Sequence, residues 1–155
     1  MSRASAVARG RALLVAWVAG LVCTLAVHAA PPAPGTTLPP GEWQAIRAIV
    51  TAQLAALKAG DGARAMAFAA PGIQAQFRTP ENFLRMVRTA YSALLEARHT
   101  EFLEGAVIEG ATIQPLRLVL PDDTVLVALY QMQRGPGGRW RIAGCVLAPS
   151  TVQST

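Results

Sequence analysis

The stretch that decides the fold is residues 68–91, which read FAAPGIQAQFRTPENFLRMVRTAY. Thr79 followed by Pro80 is typical of a helix start, because the threonine hydroxyl can accept from a first-turn amide and proline there has no N–H to leave unpaired. Apolar residues then recur at helical intervals, at Phe83, Met86, Val87, Ala90, Tyr91 and Leu94. This spacing predicts an amphipathic helix with a buried apolar stripe.

The same stripe supplies candidate ligand contacts. Its aromatic and methionine side chains are expected to face a sheet that carries Tyr130 and Met132. We therefore predict a ligand-binding pocket lined by Phe68, Phe83, Met86, Tyr91, Tyr130 and Met132. The alternative is that these side chains fill the core and leave no pocket.

The composition is that of one globular domain, with 155 residues, 52% hydrophobic and 15% charged. The formal charge of +5 comes largely from Arg3, Arg9 and Arg11. Without these three, 14 − 3 = 11 basic residues face 9 acidic ones, a net of +2. The chain also has no basic run with interleaved aromatics, so we predict no nucleic-acid partner.

The first 29 residues have the pattern of a signal peptide. Three arginines precede an uncharged run at 12–27, and small residues at Val27 and Ala29 fit a cleavage site after Ala29. The apolar run is shorter than the ~20 residues that span a bilayer, so we predict no stable membrane anchor after cleavage. The expected location is the periplasm or the medium.

The remaining chain divides by composition into three parts. Residues 30–41 contain five prolines and predict an extended linker. Residues 42–148 form the predicted domain, and 149–155 a disordered tail. Within the domain, a helical stripe predicts a first helix over Glu42–Ala59. Asp61 is placed to cap a second helix at Ala63–Ala69, and Pro71 ends that helix.

From Arg98 onward the apolar period changes to that of strands. We predict strands near 97–103, 111–120, 124–134 and 139–147, with the last three forming an antiparallel meander. Pro115 predicts a bulge or a sheet edge. Both sides of the third strand are apolar, and helices can cover only one, so a homodimer through the sheet is expected.

Several segments together resemble a known family. They are residues 69–74 with Phe77, then 79–83, Met86, Val87 and Tyr91, then 128–130, and finally 140–145. The pattern is similar to that of small exported bacterial proteins of unknown function whose fold resembles nuclear transport factor 2. The resemblance implies an α+β, cystatin-like cone in which three N-terminal helices pack on a curved antiparallel sheet of about four strands.

Enzymes of this cone fold, such as ketosteroid isomerases and polyketide cyclases, use an acidic residue or histidine in the cone with a tyrosine as oxyanion donor. The candidates here are His99 and Glu101, which share one side of a strand, with Tyr91 or Tyr130 as donor. A cofactor-free isomerase or dehydratase that uses Glu101 or His99 is therefore one alternative function.

Metal and disulfide chemistry are not predicted. After cleavage His99 and Cys145 are the only histidine and cysteine, so neither a metal site nor an internal disulfide is expected, and no cofactor is predicted. Our principal prediction is a non-catalytic envelope protein that binds a small apolar ligand or a protein partner. A purely structural homodimeric module is the other alternative.

Overall fold

A computed structural model describes residues 37–150. The predicted signal peptide, linker residues 30–36 and tail residues 151–155 lie outside the described part. The helices are α1 (Pro40–Lys58), α2 (Gly62–Ala67), α3 (Pro71–Phe77), α4 (Pro80–Ala90) and α5 (Ser92–Glu96). The strands are β1 (His99–Phe102), β2 (Ala106–Ile108), β3 (Ala111–Val119), β4 (Val125–Arg134) and β5 (Trp140–Pro149). The predicted α+β class is confirmed.

Helix α1 begins at Pro40, inside the segment that was predicted to be an extended linker. Proline suits this position because its fixed φ is helical and its missing N–H would have no helical acceptor. The N–H of Glu42 donates to the Pro39 carbonyl at 2.9 Å and closes the first turn. Ile46, Val50 and Leu57 of the predicted stripe are buried.

The capping predictions hold, while one helix was missed. The Asp61 carboxylate accepts from the Arg64 N–H at 3.0 Å, and the Thr79 hydroxyl accepts from the Asn82 N–H at 3.3 Å. Pro71 does not simply end a helix, because it also begins α3 from an extended Ala70. Only seven residues form α3, too few for a clear apolar period.

Helix α4 is interrupted where the sequence predicted a continuous stripe. It ends at Ala90, and Tyr91 has φ −131° and ψ 30°, outside the helical region. Helix α5 follows at once, so Leu94 of the stripe remains buried although it lies on a different helix. The interruption leaves Tyr91 as the residue that joins the two helices.

The sheet is open and antiparallel, with order β1–β3–β4–β5, and β2 pairs with the same edge of β3 as β1 does. The predicted meander of the last three long strands is confirmed. Strand β2 was not predicted because its three residues carry no readable alternation.

Pro115 lies where the edge formed by β1 and β2 is broken. Its carbonyl accepts from the Leu103 N–H at 3.1 Å, in the gap between the two short strands. Because the N and the carbonyl of a strand residue point the same way, the missing N–H of Pro115 faces this gap. The register of the sheet shifts elsewhere, between β4 and β5. Gly144 pairs with Gln131 and Ile142 pairs with Met132, so Ala143 between them has no partner on β4.

The two faces of the sheet have different surroundings. Alternate residues of β3 and β4, including Leu116, Leu118, Ala128 and Tyr130, are buried in the main core. The opposite face, which we call the outer face, is formed by Ile113, Arg117, Val119, Val125, Val127, Leu129, Gln131, Gln133, Val146 and Ala148, with Ile108, His99 and Glu101 at the edge. The described helices therefore cover only the inner face, as the sequence predicted.

Candidate functional site

A cavity of about 360 Å³ lies between the helices and the inner face of β4 and β5. Its volume is near the lower end of the ~300–1,000 Å³ typical of small-molecule sites. The lining residues are Gln53, Leu57, Ala69, Ile73, Gln76, Phe77, Phe83, Met86, Val87, Tyr91, Leu94, Tyr130, Ile142, Ala143, Gly144 and Cys145. Most of them are apolar, so the inner cavity, as we call it, favours an apolar occupant.

The structure brings four of the six predicted pocket residues to this cavity: Phe83, Met86, Tyr91 and Tyr130. Phe68 and Met132 are not among its lining residues and pack instead against the main core. Phe68 is held at the end of α2, where its carbonyl accepts from the Ile142 N–H at 3.0 Å.

The lining residues include no Asp, Glu, Lys, Arg or His. The polar side chains among them are Gln53, Gln76, Tyr91, Tyr130 and the thiol of Cys145. A charged group bound in such a site would find no counter-charge on the lining. The inner cavity is therefore electrically neutral as well as apolar.

The two lining tyrosines differ in their hydrogen bonding. The Tyr91 hydroxyl donates to the Cys145 carbonyl at 2.9 Å. Tyr130 is only 1% exposed, and its buried hydroxyl has no hydrogen-bond partner among the described residues. Burial, and to a smaller extent the Cys145 thiol, raises the pKa of Tyr130 well above its ordinary value of 10.0. The phenol therefore stays protonated at neutral pH and can donate a hydrogen bond.

Gln53 brings a second buried polar group to the cavity. It is 4% exposed, and its Nε2 donates to the Ala65 carbonyl at 3.1 Å. This bond fixes the orientation of the amide, because only the nitrogen end can donate. No hydrogen bond to its Oε1 is found among the described residues. This oxygen is not one of the fully buried unpaired atoms, so it stays accessible and is an acceptor that Gln53 can offer to an occupant.

Cys145 lies opposite Tyr130 in the β4–β5 register. Burial raises the pKa of its thiol from 9.0 to about 12. Thiolates, not thiols, are nucleophiles, so at neutral pH this group acts as a small apolar wall residue. The geometry gives no activated nucleophile in the cavity.

The predicted catalytic residues lie on the other side of the sheet. His99 pairs with Val119 and Glu101 with Arg117, so both belong to the outer face. The Glu101 carboxylate forms an ion pair with Arg117. Tyr130 faces the inner core, and the sheet separates it from both candidate bases. The structure thus does not bring the proposed base and oxyanion donor together.

A second, shallower groove of about 470 Å³ adjoins the inner cavity. Gln76, Phe77 and Met86 line both, and Asn82, Arg85, Thr89 and Ala90 complete the groove. Within residues 37–150 no three His, Cys, Asp or Glu side chains gather as a metal site would require. In the same range no helix has the length and apolarity needed to cross a bilayer.

Sequence reasoning missed several lining residues, of which Gln53, Ile73 and Cys145 carry the most information. Gln53 interrupts the apolar stripe of α1 between Val50 and Leu54, and a buried polar residue within such a stripe is a signal that could have been used. Cys145 was interpreted only as a strand residue. No local signal indicated that its strand borders a cavity.

Fold and site together define a class, a small α+β domain with a neutral apolar cavity between its helices and its sheet. Residues 41–155 match a family model described as a domain of unknown function, DUF4864. The match covers most of the chain, so the chain belongs to this family. Neither a curated protein nor a solved structure matches it at a significant level.

Proposed function

We propose that this domain binds a small apolar ligand in the inner cavity and performs no chemistry on it. The observation that carries the proposal is the cavity of about 360 Å³, whose lining is mostly apolar and carries no charged side chain. Clefts of this size lined mostly by apolar side chains are where small-molecule sites commonly lie. An apolar molecule seated there would bury its surface against these side chains, which is favourable.

The catalytic alternative has less support. A general base must reach the proton it abstracts within hydrogen-bonding distance, directly or through one water. Glu101 and His99 lie on the outer face, and Glu101 is already paired with Arg117. Among the described residues that line the cavity there is no carboxylate, imidazole or amine that could act as a base. Burial raises the pKa of Tyr130 and of Cys145, so neither is a base at neutral pH.

The binding proposal is tested by thermal unfolding in the presence of a panel of small apolar compounds. At a ligand concentration of ten times its Kd, stabilisation of the native state by about 1.4 kcal/mol raises Tm by about 3 °C or more. Met86→Trp should fill the cavity and remove the shift. The matched control is Arg88→Trp, which places the same indole on an exposed position of α4. A panel that shifts neither wild type nor Arg88→Trp would contradict the proposal.

A second candidate function, homodimerisation, rests on the outer face. Its two most exposed large apolar side chains are Val146, 62% exposed, and Ile108, 57% exposed. The charged pair on this face, Glu101 and Arg117, is internally neutralised. A face that combines apolar side chains with two glutamines and a neutralised ion pair suits a second copy of the same surface better than it suits a charged partner.

Analytical ultracentrifugation tests this second candidate. Val146→Glu should convert a dimer to a monomer, whereas Thr89→Glu, on the exposed part of α4, should not change the mass. A stable interface buries roughly 800 Å² on each partner. A glutamate buried within such an interface should raise the dissociation constant of the dimer by at least tenfold. A wild-type protein that stays monomeric at high concentration would contradict the dimer.

We further propose the cystatin-like cone of nuclear transport factor 2 as the fold and export as the fate of the chain. Helices packed on one face of an antiparallel sheet support the former. The arginine-rich, then apolar start of the sequence supports the latter. Mass spectrometry of the protein recovered from the periplasm or medium should find Ala30 as the first residue. An intact Met1 on cytosolic protein would contradict export.

A further inference from the structure

The inner cavity and the adjoining groove together form one continuous site, because Gln76, Phe77 and Met86 line both. The inner cavity has no charged lining side chain, whereas the groove has one, Arg85. We propose that the ligand is a single-chain amphiphile whose apolar tail lies in the inner cavity and whose anionic head group binds the Arg85 guanidinium in the groove. This inference rests on the proposed binding function and names the chemical class of the ligand.

The apolar and polar parts of this site meet along helix α4. Asn82, Arg85, Met86 and Thr89 follow one another at intervals of three, one and three residues, which places them side by side on one part of the helix surface. Met86 belongs both to the apolar stripe and to the groove. A ligand that extends from the inner cavity past Met86 therefore reaches the polar side chains of α4.

The guanidinium of Arg85 is available to a ligand. Its Nη1 donates to the Asn82 Oδ1 at 3.3 Å, and the Asn82 Nδ2 donates to the Phe77 carbonyl at 3.2 Å. These two bonds hold the guanidinium on the side of α4 that faces the end of α3. Among the described residues Arg85 forms no ion pair and its guanidinium no further hydrogen bond. Most of its five N–H groups stay unused, and their fork matches a carboxylate.

The charge around the groove favours an anion over a cation. Residues 71–90, which form α3, α4 and their connection, contain three arginines and one glutamate, a net of 3 − 1 = +2. The glutamate, Glu81, is not a lining residue of the groove and forms no ion pair among the described residues. An anionic head group thus gains a charge-assisted hydrogen bond from Arg85, whereas a cationic one is repelled.

The inner cavity bounds the length of the tail. Liquid water occupies about 30 Å³ per molecule, so a volume of about 360 Å³ accommodates an aliphatic tail of roughly ten carbon atoms. The side chains of Phe83, Val87 and Ile142 offer it apolar surface. The tail leaves water while the head group stays at the exposed groove and keeps part of its hydration, so neither part is bound at the expense of the other.

Three probes with the same carbon chain separate the head groups. At pH 7 decanoate is an anion, decanamide is uncharged and decylammonium is a cation. Titration of the full chain should show decanoate binding about fivefold more tightly than decanamide, the upper range for an ion pair at an exposed site. Decylammonium should bind more weakly than decanamide. The preference for decanoate should fall to within about twofold when NaCl is raised from about 0.05 to about 0.5 M, because salt screens exposed charges.

Three arginine variants assign the preference to its residue. Arg85→Gln should reduce the preference for decanoate over decanamide to within about twofold, and Arg85→Lys should retain most of it. Arg88→Gln is the matched control, because it removes the same charge from an exposed position of α4 that lines neither the cavity nor the groove. It should leave the preference nearly unchanged. The preference is a ratio of two affinities in one variant, so a general loosening of the fold does not alter it.

The outcomes separate this inference from the function on which it rests, with 2-methylnaphthalene as a purely apolar fourth probe. If 2-methylnaphthalene binds but decanoate has no advantage over decanamide, the inference is overturned and the binding function stands. The same holds if Arg85→Gln keeps the full preference, or if Arg88→Gln abolishes it as completely as Arg85→Gln does. If none of the four probes binds, the proposed binding function itself fails.

Discussion

At the scale of single residues, the two tyrosines of the cavity lining show how structure and function can conflict. Tyr91 donates its hydroxyl to the Cys145 carbonyl, so its burial is compensated. Tyr130 is buried without such a partner among the described residues. A buried hydroxyl without a partner lowers the stability of the folded protein by about 1–3 kcal/mol.

Replacement of Tyr130 by phenylalanine should therefore stabilise the ligand-free protein. Removal of an unsatisfied buried hydroxyl is expected to raise the free energy of unfolding by about 1 kcal/mol, measured by urea denaturation. Tyr91→Phe loses a hydrogen bond and leaves a carbonyl unpaired, so it should lower the free energy of unfolding by about 1 kcal/mol. A Tyr130→Phe protein that is less stable than wild type would show that the hydroxyl has a partner in the free protein.

The thiol of Cys145 gives an independent test of burial. Because its pKa is raised to about 12, little thiolate exists at pH 7–9 in the native state. In a Cys23→Ser chain, alkylation of Cys145 by iodoacetamide should be at least tenfold slower in native than in urea-unfolded protein. The native rate should keep rising with pH beyond 9, where the unfolded rate levels off. Equal rates in both states would mean that the cavity wall is open at this position.

At the scale of elements, the start of α1 is fastened to the sheet by one carboxylate. The Glu42 Oε2 accepts from the Trp140 indole N–H at 2.6 Å and from the Arg134 guanidinium at 2.6 Å. The guanidinium also lies over the Trp140 ring, 4.2 Å from its centre. These contacts join α1 to the ends of β4 and β5 and help to hold the helical layer over the cavity.

This fastening predicts a defined pH dependence. The indole and then the guanidinium lower the pKa of Glu42 below its ordinary value of 4.5. The folded state thus prefers the carboxylate, so the stabilisation is present above about pH 4.5 and is lost as the pH falls below it. Glu42→Gln should be less stable than wild type at pH 7, and the difference should shrink in acid. Glu104→Gln, at an exposed loop position that forms no ion pair among the described residues, should show no such change.

The loop between β1 and β2 packs tightly against the same helix. A Cβ at Gly105 would lie 2.3–2.7 Å from ring atoms of Trp43, which is too close for any real contact. We expect Gly105→Ala to lower the free energy of unfolding by about 1–3 kcal/mol and to alter tryptophan fluorescence. Gly72→Ala, where a Cβ meets nothing within 4 Å in helix α3, should be neutral or stabilising. Equal effects of the two substitutions would contradict this packing.

Local sequence signals predicted the elements that depend on local interactions. Thr79 and Asp61 cap helices because their side chains reach amides three residues away, which the sequence alone can show. Helix α3 and strand β2 were missed because each is too short to display a period. The break at Tyr91 was missed because it arises from packing of α4 and α5 against different partners.

The sequence predicted only part of the site, because local patterns do not show which elements pack together. Phe83 and Met86 follow from the stripe of α4, whereas Gln53 joins them only through the packing of α1 against α2. The orientation of His99 and Glu101 depends on pairing of β1 with β3, and nothing within β1 fixes which of its faces points inward. Sequence patterns therefore showed which residues share a face but not which faces meet.

At the scale of the whole molecule, the domain is a helical layer on one face of an antiparallel sheet, with a neutral cavity inside. The cavity and the outer face offer two distinct apolar surfaces, one a cleft between helices and sheet and one an open sheet face. An apolar compound that bound only to the outer face would produce thermal stabilisation without any role for the cavity. The location of the bound molecule is therefore the decisive property.

Intermolecular nuclear Overhauser effects between 2-methylnaphthalene and methyl-labelled protein determine that location. We predict contacts with the methyl groups of Ile73, Val87 and Ile142, which line the inner cavity, and none with Val127 or Val146 of the outer face. Contacts confined to Val127 and Val146, or no contacts with a protein that the compound saturates, would contradict the claim that this domain binds its ligand inside.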